Sequence, residues 1–219
     1  MKVSIKKILL ISACIIAVIA LSAITGFVVY VSSPGFKETA RQYALRAIEE
    51  ETGGKATLGR VYWNWWTQRV SLLDLTVRGS EPADGSPLVH IESVEAGINL
   101  RSLLKQRLDL FELTVTRPEF HLFVDAKGNT NLPGPQPREA GKRDFQLSIE
   151  NFKVAQGNAF VNERQIDIDF VLRNLYSDLS YQGMNRILTA HVSYDGVLNR
   201  PSELPIPYSL SSDFDFTRD

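Results

Sequence analysis

The chain has 219 residues and a net charge of −1, so it carries no basic field that would draw it to nucleic acid. Its one cysteine, Cys14, excludes a disulfide within the chain, and an exported domain of this sequence must be held by its packed core. The hydrophobic share of 44% is that of an ordinary globular chain with room for one or two domains.

Lys2, Lys6 and Lys7 precede an uncharged apolar run from Ile8 to Val31, 24 residues long. As a helix at about 1.5 Å per residue it reaches roughly 36 Å, slightly more than a bilayer's roughly 30 Å hydrocarbon core. Residues 1–7 read as a basic cytoplasmic tail and 8–31 as a transmembrane signal-anchor, with the bulk of the chain exported. Ala20 to Ala23 offers a weak cleavage site, yet Phe27 to Val31 stay apolar where a cleaved peptide would turn polar. Ile11 to Cys14 resembles a lipobox, but too few apolar residues precede it. Cys14 is expected to face lipid or another helix.

Residues 32–53 read as a linker and a short amphipathic helix. Phe36, Ala40, Tyr43, Ala44, Ala47 and Ile48 fall on one stripe between the breakers Pro34-Gly35 and Gly53-Gly54. The helix either packs on a domain, the expected case, or lies on the membrane surface.

From residue 54 the period changes to two. Strands are expected at Leu58 to Trp63, Val70 to Arg78, Leu88 to Leu100, Leu108 to Thr116 and Phe120 to Val124, with a helical turn at Ser102 to Gln106. In the third of these, Val89 and Ile91 differ in parity from Val94, Ala96, Ile98 and Leu100, which predicts a bulge near Ser93. Residues 54–133 form a first β domain and 134–144 the core of a Pro/Gly-rich linker. Residues 145–219 continue the meander through Phe145 to Val154, Ala159 to Asn162, Gln165 to Arg173, Leu188 to Tyr194 and Ile206 to Phe216. The chain stops directly after the last strand, which suggests a piece of something longer.

No catalytic constellation is present. His90, His121 and His191 are isolated, Asp167 and Asp169 read as polar alternation on a strand, and no nucleophile, phosphate or metal motif occurs. The expectation is a non-enzyme without metal or cofactor. Trp63, Trp65 and Trp66 are read as covering the end of the sheet core, with an interfacial role as the alternative.

Several features then follow in a fixed order. A helix ends in Glu51-Thr52-Gly53 and a strand follows through Gly59-Arg60-Val61. Next come Leu72 to Val77, Pro87 to Glu92, Ile98 to Leu104, Leu113 to Val115, Arg117 to Leu122 and Asp125 to Pro133. Over about 85 residues this set resembles the N-terminal region of AsmA-like proteins, and more closely of TamB-type translocation and assembly proteins. The resemblance implies a bacterial inner-membrane protein with one N-terminal anchor. It implies a β-rich periplasmic groove, phospholipid transport or outer-membrane biogenesis, and a barrel partner of the Omp85 class. The chain lacks the long repetitive middle and C-terminal domain of TamB-type members.

The expected fold is therefore mainly β: a transmembrane helix and an amphipathic helix, then a curled antiparallel β-meander. If the sheet curls, Phe120, Leu122, Val124, Ile166, Ile168, Phe170, Leu172, Ile206 and Tyr208 line a groove for membrane lipids. In a two-sheet sandwich the same residues form a closed core, and alternation does not separate the two. A periplasmic docking module that pairs a sheet edge with a partner strand is the other functional reading.

Overall fold

The computed structural model describes residues 33–82, 84–103, 107–134, 146–182, 187–200 and 203–217, together with Ser22 and Gly26, both helical. The expected anchor, residues 8–31, otherwise lies outside the described residues, as does the expected linker 134–144 from residue 135 on. Among the described residues no helix is long and apolar enough to cross a membrane.

Helix α1 spans Pro34–Thr52. Ser33 caps its start: its Oγ accepts from the Phe36 amide at 3.2 Å. Gly53 ends it at φ 72°, with its amide on the Glu49 carbonyl at 2.8 Å. The chain divides inside this helix into two compact units, Met1–Tyr43 and Ala44–Asp219. In the first, Glu38 accepts from Gln42 and Arg41, and the Gln42 hydrogen bond, above all, holds its carboxyl below the usual range. Tyr43 is 66% exposed, which corrects its place on the expected apolar stripe.

In the second unit, Ala44, Leu45 and Ile48 pack on Ala56, Leu58, Leu75 and Val77, the best-buried cluster of the sheet. Nine strands follow: β1 (Lys55–Asn64), β2 (Arg69–Arg78), β3 (Val89–Ile98), β4 (Arg107–Val124), β5 (Gln146–Ile149), β6 (Asn151–Glu163), β7 (Ile168–Gln182), β8 (Ile187–Asn199) and β9 (Ile206–Thr217). The short α2 (Leu100–Leu103) precedes β4. All nine belong to one open, curled, mixed sheet in the order β1-β2-β3-β4-β6-β7-β8-β9, with β5 beside the start of β4.

Two expectations need correction. The meander is not wholly antiparallel, because β5 and β6 pair with β4 in parallel, from Arg107 opposite Gln146 to Val124 opposite Glu163. A parallel pair needs a crossover of a dozen or more residues, and residues 125–145 supply it. The expected strands at Leu108 and Phe120 are one strand, β4, which Pro118 does not interrupt.

Pro118 is tolerated because the ladder is already broken beside it. Arg117 has φ 47°, the left-handed region that non-glycine residues seldom occupy. Asp74 in β2, Gln156 in β6 and Asn174 in β7 share that conformation, with φ between 55° and 57°. Pairing aligns these residues. Asp74 and Arg117 both lie at the level of Glu92, and Arg117 lies at the level of Gln156. They form a transverse seam of exposed polar side chains. Arg117 pairs with Glu92 at 2.6 Å and donates to Gln156 at 3.0 Å, and Asn174 donates to Asp195 at 3.1 Å.

At the seam the apolar parity changes in step on neighbouring strands: Leu72 to Leu75, Ile91 to Val94, Val115 to Pro118, Val154 to Gly157 and Leu172 to Leu175. The bulge expected near Ser93 is corrected: β3 pairs on both sides without a register shift at the seam, and its shift against β4 lies at Gly97/Ile98. Because β2, β3 and β4 slip together, their pairing stays in phase across it. One apolar face therefore continues above and below the seam.

Candidate functional site: an open apolar face

Pairing builds that face row by row. One row joins Phe120, Ala159, Leu172, Gly196 and Tyr208, and the next joins Leu122, Val161, Phe170, Leu198 and Ile206. Val124 faces Glu163, which faces Ile168. The sheet thus brings together eight of the nine expected groove residues: Phe120, Leu122, Val124, Ile168, Phe170, Leu172, Ile206 and Tyr208. Ile166 is the correction. It sits in the β6–β7 turn at residues 164–167 and is 69% exposed. The apparent alternation from Gln165 began in a turn, where Asp167 has φ 54°. Asp167 and Asp169 likewise do not share a strand. Arg164 reaches both, at 3.5 and 3.3 Å.

Burial separates this face from a closed core. Among the described residues of β4 to β9, only Leu110, Val124, Gly157 and Gly196 are buried. Ile206, Leu210, Phe214 and Phe216 on β9 are 42–57% exposed. Among the described residues no second sheet lies over it, so the two-sheet sandwich is not formed.

At its centre is an aromatic cluster. Tyr208 stacks on Phe170 with centroids 5.5 Å apart and meets Tyr194 edge-on at 6.1 Å. Its ring lies across Gly196, where a Cβ would stand 1.9 Å from the ring. The Tyr208 hydroxyl is enclosed and has no hydrogen-bond partner among the described residues. Burial pushes its pKa up, with Tyr194 adding to the effect. Sequence reasoning missed Gly157 and Gly196. Gly157 opens the row between Pro118 and Leu175, since a Cβ there would lie 3.2 Å from Pro118 and 3.1 Å from Leu175.

The face ends at a tight corner beyond β4. Residues 125–131 fold back so that Thr130 bridges Val124, and Asn131 is buried. Its side chain donates to the His121 carbonyl at 2.8 Å and accepts from the Phe123 amide at 2.9 Å. Asp125 closes this turn, and the Asn129 side chain, first among its donors, holds the carboxyl below its usual range.

The histidines are dispersed. His90 pairs with Thr76, His121 stacks on Phe160, and His191 pairs with Asp213 at 2.7 Å. Among the described residues no group of three or more His, Cys, Asp or Glu side chains could hold a metal. The arrangement offers a broad apolar surface.

The described strands thus form an open single-layer β-sheet whose apolar face is half-exposed on β4 to β9. A family model for AsmA matches residues 1–178 of the 219. The chain belongs to the AsmA family. Among curated proteins nothing matches.

Proposed function

We propose that this chain is an inner-membrane-anchored periplasmic groove that shields phospholipid acyl chains in lipid transport or outer-membrane biogenesis, without bond chemistry. The observation that carries the reading is the continuous, half-exposed apolar face of β4 to β9. At about 3.3 Å per residue the 18-residue β4 runs roughly 60 Å, about four times the half-thickness of a bilayer core. Shielding an acyl chain is favoured by about 0.8 kcal/mol per CH₂. Membership of the AsmA family supports a membrane-associated role in lipid handling or assembly. The apolar run from Ile8 to Val31, behind three lysines, supports the single anchor with a cytoplasmic N-terminus.

The test places a charge on the face. Phe170→Glu or Ile168→Glu is expected to lower the phospholipid that purifies with the folded protein. Unchanged lipid in well-folded variants counts against the groove.

One observation favours a second reading, a docking module for outer-membrane protein assembly with a barrel of the Omp85 class as partner. The outer edge of β9 pairs with no strand among the described residues. On that reading Leu210→Pro abolishes capture of the partner, because proline removes a ladder donor.

A further inference from the structure

The β1–β2 hairpin tip carries a feature that the groove does not use. Residues Trp63 to Gln68 are uncharged, and Arg60 and Arg69 bracket them. Trp66 is 91% exposed, the highest value among the described large apolar side chains, and Tyr62 below it is 46% exposed. This corrects the reading of all three tryptophans as a cover for the sheet core. The tip is shaped to present the indole: the Asn64 Oδ1 accepts from the Trp66 and Thr67 amides, both at 3.2 Å. The Arg60 guanidinium lies 5.9 Å from the Tyr62 ring centre, and Arg69 pairs with Glu112.

From these features we infer that the hairpin tip docks into the headgroup region of the bilayer that anchors the chain, with Trp66 inserted and Arg60 at the level of the phosphates. The inference rests on the reading of Ile8 to Val31 as a bilayer anchor, and not on the groove. An amphipathic indole favours the interface between water and hydrocarbon, and an arginine beside it suits a phosphate. One exposed indole binds a membrane weakly by itself. Here the tether changes the arithmetic. Only 12 residues separate Val31 from Ala44, the first residue of the sheet unit. At no more than about 3.6 Å per residue they reach roughly 45 Å. A tether of this length gives the sheet unit an effective concentration at the bilayer on the order of millimolar, which favours a weak contact.

Trp63, Trp65 and Trp66 are all the tryptophans of the chain, so its tryptophan fluorescence, excited selectively, reports on this tip alone. The full chain is reconstituted in vesicles of phosphatidylcholine and phosphatidylglycerol, with and without phosphatidylcholine brominated on its acyl chains near the headgroup. The Trp63→Phe/Trp65→Phe protein keeps Trp66 as the sole emitter, and its emission is expected to be blue-shifted and roughly halved by the brominated lipid. Trp66→Phe in the otherwise unchanged chain is expected to lose most of that quenching, which covers the case in which the double variant folds poorly. Red, unquenched emission from a chain that resists carbonate extraction overturns the inference and leaves the anchor standing. Blue-shifted but unquenched emission means that protein covers the tip, a second copy included, and also overturns it. Release of the chain by carbonate removes the anchor and the inference together. Loss of lipid carriage by the groove variants leaves this result untouched.

Discussion

Gly196→Ala adds one methyl group at the centre of the aromatic cluster. Gly196 is buried, and its new Cβ would stand 1.9 Å from Cζ, 2.2 Å from Oη and 2.3 Å from Cε2 of Tyr208. All three atoms are at the far end of a rotatable side chain, so the ring moves and the backbone stays. The cost is the lost stacking on Phe170 and the lost edge contact with Tyr194, at about 0.5–1.5 kcal/mol each, giving about 1–3 kcal/mol in all. Gly196 lies outside the left-handed positions of the chain, so backbone strain adds nothing. Chemical denaturation of Gly196→Ala, Tyr208→Ala and the double variant measures this directly. With the ring gone the methyl group meets no clash, so the double variant should cost about what Tyr208→Ala costs, a coupling of at least about 1 kcal/mol. Additive effects, or a cost for Gly196→Ala below about 0.5 kcal/mol, would refute the ring-over-glycine arrangement.

Leu58 is 1% exposed under α1, and Leu58→Ala should destabilise the sheet by about 3–4 kcal/mol in denaturant melts, more than the same change at half-exposed Leu172. Asn131→Ala leaves the His121 carbonyl and the Phe123 amide without their side-chain partner, and should cost about 2–3 kcal/mol, read by thermal unfolding. Tyr208 has a raised folded pKa, so its contribution is fully present below the unfolded tyrosine value of about 10 and is lost as pH rises towards the folded one. Tyr208→Phe should therefore flatten the alkaline loss of stability in a pH series of melts. It should also raise stability at neutral pH by about 1 kcal/mol, because it removes an unpartnered hydroxyl.

Much of the fold was legible because period-two alternation is a local signal. Phe170, Leu172, Ile206 and Tyr208 fell on one face as expected, since each strand's own pattern fixes which side its apolar residues take. The parity slip in Leu88 to Leu100 was also legible. Its cause was not, because a seam shared by Asp74, Arg117, Gln156 and Asn174 exists only once strands are paired. Arg117-Pro118 looked like a break between two strands for the same reason: nothing local says that a left-handed residue is keeping a long strand in phase. The parallel step between β4 and β6 depends on where the chain returns after Asp125, and the linker's composition does not carry that direction. Ile166 was misplaced because a turn can mimic alternation for two or three residues. Gly157 and Gly196 carry no side chain whose period could flag them. Their signal is a strand position where a neighbour's ring needs room. Whether the apolar face was open or closed was not legible either, since a groove and a sandwich share one pattern.

The most direct test of the groove is native mass spectrometry with lipid extraction on the soluble protein from Ser32 to Asp219. The account predicts phospholipid bound in near-stoichiometric amount. A folded, monodisperse and lipid-free protein would contradict it, and would mean that the apolar face is covered by protein instead.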